Sequence, residues 1–464
     1  MKKIVQKFRE YLFMKKAVLV LAMLYALGIS AILRADFKYI DDLGRVRYGY
    51  RGWNDFSRYL NECLSVVLHA DAYLTDISPL PQLTAVLILA VAGSVVVFVL
   101  TGKREFCFWN SIAVLPMGLS PYFLECFSYK YDSPYMALSV LASVLPLLLQ
   151  EQGLFIYFAA SVAGSAAMCM TYQASSGIFP MLVILLCLQQ WNQGKHIRES
   201  LRFGLVSMGG YVAGLLLFRF LIMTPVDDYI SLSIVSVPRM ARQLSAYYAY
   251  VWQDLKKWWI LLAGAVVFAF VYSTVRDTVQ RKWAAFILSV LTLLLMGLVC
   301  FGVYPVIETP RYQPRTMYGI GVLIAFLGVP VMNAVRLYPG KLVHLLLCWA
   351  FFSFSFTYGN ALAEQQRYTD FRIQLVIEDM DGLAVFGSDE EKTVQIDGDI
   401  GQSPVLRQQR QSYQILNRLI PSTFGGGAWN WNKYYFYEYF SLKNVIRDTS
   451  ADLTTYQLPL LQDG

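Results

Sequence analysis

A helix needs about 20 consecutive apolar residues to cross the hydrocarbon core of a bilayer, and runs of that kind recur along most of this chain. The first covers Ala17 to Leu33, and others fall at 83–101, 106–124, 134–150, 154–172, 177–191, 201–222, 258–275, 284–304, 316–335 and 342–360. They predict an all-α polytopic membrane protein with about 11 transmembrane helices. Composition points to the same solvent. Hydrophobic residues make up 56% of the 464 and charged residues 15%, where soluble domains carry about a quarter charged.

Charge placement orients the spans. The N-terminal MKKIVQKFREYLFMKK is basic and amphipathic. A cleaved signal peptide starts in the same way, but the many later spans favour an uncleaved anchor with a cytoplasmic N-terminus. Lys103 and Arg104, Lys195, Arg198 and Arg202, Arg276, Arg281 and Lys282, and Arg336 and Lys341 then fall on cytoplasmic loops, as the positive-inside rule requires. The turn from Glu151 to Gly153 is the one such loop without Lys or Arg. The net charge of +7 is thereby explained with no nucleic-acid partner. An odd number of spans puts the C-terminal segment on the side opposite the N-terminus. The expected organisation is a transmembrane domain, 1–360, with external loops at 34–82, 125–133, 223–257 and 305–315, followed by a periplasmic domain, 361–464. Function is expected on that external face, because binding and catalytic groups concentrate on loops held by a rigid scaffold.

Local patterns refine the external parts. In GWNDFSRYLNECLSVVLHAD, Trp53, Phe56, Tyr59, Leu60, Leu64 and Val67 recur at helical spacing, predicting a helix that lies flat at the membrane surface. The stretch 228–252 reads as a second interfacial element. The polar tail reads as a small α/β domain, with helices near 364–380 and 404–420 and strands at 383–386, 392–397 and 434–440. Seven cysteines show no CxxC spacing and the three histidines are scattered, which argues against a histidine-based metal site. Cys63 and Cys126 both fall in external segments, so a disulfide between them is permitted.

Several polar groups could carry chemistry. In FKYIDDLGRVRYGYRGW, just past the first span, Asp41 and Asp42 are candidate general bases, since partial desolvation raises a carboxylate's pKa into a useful range. The plain alternative is a pair of solvated loop acids balanced by Arg45 and Arg47. Asp132 in ECFSYKYDSPYM either caps the helix that starts at Ser133, binds sugar hydroxyls, or pairs with Lys130. Glu125 is a weaker candidate, facing the bundle interior. In VIETPRYQPRTMYG, two prolines stiffen a loop carrying Arg311 and Arg315, and two guanidiniums there suit a donor phosphate. Interfacial arginines that meet lipid headgroups are the alternative. Arg219, inside LLLFRFLIM, must face protein or reach out to the interface. In STFGGGAWNWNKYYF, Trp429, Trp431 and Lys433 suit a carbohydrate, with a flexible linker carrying interfacial tryptophans as the alternative, while the three glycines lack the Lys and Ser/Thr of a P-loop. Arg45, Asp132, Lys130, Trp429, Trp431 and Lys433 are the candidate substrate-binding set. DGDIG at 397–401 reads as a turn. No cofactor motif is present. The paired acids leave a divalent metal open, although carboxylates alone are a poor metal signature.

The segment YIDDLGRVRYGYRGW with its following amphipathic helix, the segment YKYDSPYMAL before a span, and the array of spans together resemble the integral-membrane O-antigen glucosyltransferases of serotype-converting bacteriophages. The resemblance weakens in the tail. It implies a GT-C-like architecture in the bacterial inner membrane, undecaprenyl-phosphate glucose as donor and O-antigen polysaccharide as acceptor. It also implies an acid of the first external loop as catalytic base, carried here by Asp41 or Asp42 with a slight preference for Asp42. The rivals are an enzyme of the same type moving a different sugar, and a lipid-linked saccharide transporter or flippase. A transporter is expected to keep charges and broken helices near the bilayer midplane, whereas the charges of this chain cluster at the external edge.

Overall fold

A computed structural model of the protein describes residues 15–102, 107–224, 233–382, 392–394, 399–421, 423–424 and 445–447. The apolar runs are helical. Seven helical segments are long and apolar enough to cross a membrane: Lys15–Ala35, Leu80–Thr101, Gln173–Asn192, Ile197–Ile222, Lys257–Asp277, Lys282–Val299 and Tyr338–Gly382. Four shorter apolar segments accompany them: Phe108–Leu119, Ser133–Leu149, Leu154–Cys169 and Gly319–Asn333. The chain is a multi-pass membrane protein. Helix is the form these runs take because lipid offers the backbone no hydrogen-bond partners, so each segment must satisfy its own. Side chains such as Leu205, Leu261 and Phe268 stand exposed on the outer faces, as a lipid-facing surface requires.

Four elements hold most of the site described below: α1 (Lys15–Ala35), α2 (Asp42–Tyr48), α3 (Tyr59–His69) and α4 (Leu80–Thr101). The run predicted as one span over 106–124 is instead three short helices, α5 (Phe108–Ala113), α6 (Pro116–Leu119) and α7 (Pro121–Ser128). Pro116 and Pro121 explain the breaks, since proline lacks the N–H and clashes with the preceding turn, yet sits well at a first helical position. The next helix, α8 (Ser133–Val144), continues into a 3-10 turn that contains Pro146.

Close approaches lock the bundle. The longest helix, Tyr338–Gly382, packs along α1. A side chain at Gly359 would run into the Ala31 backbone at 2.4 Å, and Ser355 donates a 2.6 Å hydrogen bond to the Gly28 carbonyl. Gly210 and Gly214 likewise let Ile197–Leu217 lie directly on Ser161 and Ser165 of Leu154–Cys169, the small-residue packing expected in lipid.

The tail departs from expectation in two ways. Tyr338–Gly382 runs unbroken through residue 360, where a domain boundary was expected. The helix expected at 404–420 is a pair, Pro404–Ser412 and Leu416–Leu419, whose Leu406, Ile415, Leu416 and Leu419 join the main hydrophobic core instead of forming one of their own. Lys392–Val394 pairs in parallel with Val445–Arg447. The strands expected at 383–386 and 434–440 lie outside the described residues.

Candidate active site

The segments predicted to be external meet at one end of the bundle. The segment after α1 leads into α2, and here the adjacent acids part company. Asp42 is fully buried. Its Oδ2 accepts the backbone N–H of Tyr39 and that of Lys130, both at 3.0 Å, so this carboxyl ties the α1 exit to the segment before α8. Burial pushes its pKa well above the ordinary aspartate value, partly offset by the Lys130 N–H. Asp41 is only half-buried; its carbonyl accepts from the Arg45 N–H, but its side chain has no hydrogen-bond or ion-pair partner among the described residues. Desolvation raises its pKa. Asp132 adds to the rise, while Arg45, Arg315 and Arg58 pull it back.

Around these acids stands a set of satisfied ion pairs. Asp132 takes both the Arg45 guanidinium and the Trp53 indole N–H, the latter at 2.6 Å. All three side chains are buried, and Arg45 also lies over the Trp53 ring at 4.4 Å. Asp132 therefore neither caps α8 nor pairs with Lys130. Lys130 Nζ instead bridges Asp36 at 2.5 Å and Asp76 at 2.8 Å. Arg315 is anchored twice by one acid: its backbone N–H bonds Glu125 Oε2 at 2.5 Å and its guanidinium bonds Oε1 at 2.7 Å. Its charge lies 5.5 Å from the centre of the Tyr129 ring. Arg311 is in the same loop, where its carbonyl accepts from Tyr247 and Thr316. Arg418 of the tail pairs with Asp254 and donates to the Tyr312 carbonyl, clamping the tail to that loop.

The opposite end holds a cavity of about 230 Å³ between Leu100, Gln189, Asn192, Asp277 and Asn333. Among the described residues Asp277 is the one charged side chain in its lining, and it is paired with the neighbouring Arg276. Among the described residues, no group of three or more His, Cys, Asp or Glu side chains is arranged to hold a metal.

The chain matches the family model described as "Glucosyl transferase GtrII" over residues 30–331, well over half its length. The chain belongs to the GtrII glucosyl transferase family. A Salmonella phage P22 protein described as "Uncharacterized 55.3 kDa protein in gtrB 5'region" is 27% identical over 188 residues, which covers 40% of this chain and 38% of that protein. The match thus spans well under half of the relative. No solved structure matches.

Every ion pair described above between Asp36 and Arg315 lies inside the region matched to the GtrII family. Trp429, Trp431 and Lys433 lie outside the described residues. Cys63 is exposed and Cys126 buried, and both are free thiols, so the disulfide considered from sequence is not formed. Trp53, expected on a membrane-facing surface, is instead fully buried against Tyr135.

Sequence reasoning overlooked Arg58 and Asn61 and underrated Glu125. The signal was present. Asn61, Ser65 and His69 recur every four residues along α3, and these are the buried positions, while Leu64 and Val67 stay exposed. Polar stripes point to solvent in a soluble protein, but in a membrane protein they face the bundle interior or a wet cavity.

Proposed function

We propose that this protein transfers glucose from undecaprenyl-phosphate glucose to O-antigen polysaccharide at the periplasmic face of the bacterial inner membrane, with inversion at the anomeric carbon. The family supports glucosyl transfer. Reading the seven long and four shorter apolar helical segments as eleven crossings of a GT-C-like fold, with the N-terminus cytoplasmic, supports a periplasmic Asp41 end and a periplasmic tail from residue 361. A polar tail clamped by Arg418 onto the Arg315 loop suits acceptor recognition, and Trp429, Trp431 and Lys433 are the residues we assign to it.

The observation that carries the mechanism is the contrast between the two acids. A general base needs an accessible lone pair and a pKa closer to neutrality than a solvated carboxylate has. Asp41 offers both, half-buried and unpartnered among the described residues, with its pKa raised. Asp42 gives Oδ2 to two backbone N–H groups, and its Oδ1, although unpartnered, is buried out of reach of solvent. In the proposed step an acceptor hydroxyl attacks the anomeric carbon and passes its proton to Asp41. The bond between that carbon and the phosphate oxygen breaks, and undecaprenyl phosphate leaves with its second negative charge met by Arg315.

The test is O-antigen glucosylation, read as new glycosidic linkages by NMR, in cells carrying Asp41→Asn or Asp42→Asn as the sole copy. Asp41→Asn is expected to abolish transfer. Asp42→Asn keeps an acceptor oxygen for both backbone N–H groups and is expected to stay active. Full activity of Asp41→Asn refutes the base assignment. Movement of a lipid-linked sugar with no new linkage points to a transporter.

A further inference from the structure

Of the cations at this end, Arg45, Arg51, Lys130, Arg315 and Arg418 each hold a carboxylate. Arg58 holds none among the described residues. Its backbone is fixed, since its N–H donates to the Trp53 carbonyl at 3.0 Å and its own carbonyl accepts from Asn61 at 3.0 Å and Glu62 at 3.3 Å. Its guanidinium lies over the Tyr172 ring at 4.8 Å and the Phe56 ring at 5.3 Å. Aromatic faces hold the plane of the fork without using its N–H donors, and Nε is buried with no acceptor. A half-buried guanidinium left in this state calls for an anion.

One turn along, Asn61 shows the complementary deficit. It is 2% exposed, its Nδ2 donates to the Thr171 carbonyl at 3.1 Å, and its Oδ1 is buried with no donor. On the facing corner, Gln173 Nε2 is buried and equally unpartnered. Buried polar atoms are rarely left unsatisfied unless something else binds them. Here three occur on two touching segments, one cationic, one an acceptor and one a donor. Arg58 also acts electrostatically on Asp41, as does Arg315, each lowering its pKa.

We propose that Arg58 and Asn61, facing Tyr172 and Gln173, form the donor phosphosugar subsite: Arg58 binds the anionic phosphodiester and Asn61 accepts from a sugar hydroxyl. The assignment rests on the glucosyl-phospholipid reading above and adds the residues that hold that donor. A guanidinium fork matches two non-bridging phosphate oxygens. Gln173 Nε2 supplies a donor to a phosphate or sugar oxygen. Arg58 has its N–H groups open, whereas Arg315 already gives one to Glu125.

The test is direct binding of a short-chain prenyl-phosphate glucose to the full-length protein in zwitterionic nanodiscs. Arg58→Gln is expected to weaken binding about tenfold or more, the loss typical of a charge-assisted bidentate contact, and Arg58→Lys to weaken it less. Asn61→Ala is expected to weaken the phosphosugar but not the same prenyl phosphate without glucose. Asp41→Asn is expected to bind as wild type while failing to transfer. Wild-type affinity in a folded Arg58→Gln or Arg58→Lys protein overturns the assignment and leaves the base assignment standing. Failure of the wild-type protein to bind the phosphosugar overturns the donor reading and this assignment together. If phosphatidylglycerol added to the discs competes with the donor in wild type but not in Arg58→Gln, and Asn61→Ala binds normally, Arg58 is a site for bulk lipid headgroups and the proposal fails.

Discussion

Replacing Asp132 by asparagine tests both the architecture of the site and its electrostatics. The carboxylate holds the Arg45 guanidinium and the Trp53 N–H inside the protein, and the side chains of Asp132 and Arg45 are only 6% and 4% exposed. Asparagine preserves the shape and can still accept from Trp53. It removes the only carboxylate paired with Arg45 among the described residues and leaves a buried cation without its ion-pair partner, which costs about 3–5 kcal/mol. Asp132→Asn/Arg45→Gln removes both charges and lets two amides bond to each other. That double variant is expected to recover most of the loss, giving a coupling of about 3 kcal/mol in a double-mutant cycle. Denaturant unfolding in detergent micelles reads these differences.

The same variant makes a second, independent prediction. The charge on Asp132 helps raise the Asp41 pKa, and the cation on Arg45 lowers it. Without Asp132 the repulsion is gone and the attraction stands alone, so Asp41 becomes a stronger acid. Asp41 accepts a proton only when ionised, so transfer falls as pH drops through its pKa. The acid limb of the rate profile is therefore expected to move to lower pH in Asp132→Asn. Unchanged stability, or an acid limb that moves to higher pH, refutes the reasoning.

Two further perturbations grade the ion pairs by burial. Lys130→Met removes a charge whose partners Asp36 and Asp76 are 70% and 32% exposed; both acids can rehydrate, and unfolding is expected to shift by no more than about 1 kcal/mol. Glu125→Gln keeps an oxygen for the Arg315 backbone N–H but loses the charge that holds its guanidinium, so transfer is expected to fall about tenfold or more, the worth of one charge-assisted hydrogen bond, and wild-type turnover would remove Arg315 from the mechanism.

How far the sequence could be read follows from the solvent. In lipid the apolar runs have to be helices, so their helical form and rough bounds were legible before any coordinates. Breaks inside them were less so, although Pro116 and Pro121 mark them. The acids at the first exit were legible as candidates, but their division of labour was not. Asp41 and Asp42 are adjacent, and only the backbone course that brings the Lys130 N–H to Asp42 separates them. The partners of Asp132 were hidden for the same reason. Arg45 and Trp53 lie 87 and 79 residues away in sequence, while Lys130, two residues away, turns to Asp36 and Asp76.

The helix α3 shows how one stripe of a pattern can be read while the opposite stripe is overlooked. The four-residue recurrence of Asn61, Ser65 and His69 predicts an amphipathic helix, which is present. Which stripe faces the protein depends on what lies outside it, and next to a bilayer the apolar stripe is the one that faces outward. The apolar stripe was expected at the membrane, and Leu64 and Val67 stay exposed; the inward polar stripe, which begins at Arg58, is the part that went unread. The charge pattern then gains a rationale. Arg45 and Arg315 are each neutralised by a buried acid, which fixes their geometry at little net charge. Among the described residues the Asp41 carboxylate and the Arg58 guanidinium are left without an ion-pair partner, and in the proposed step they take the acceptor's proton and hold the donor's phosphate, while Arg315 meets the charge that develops on departure.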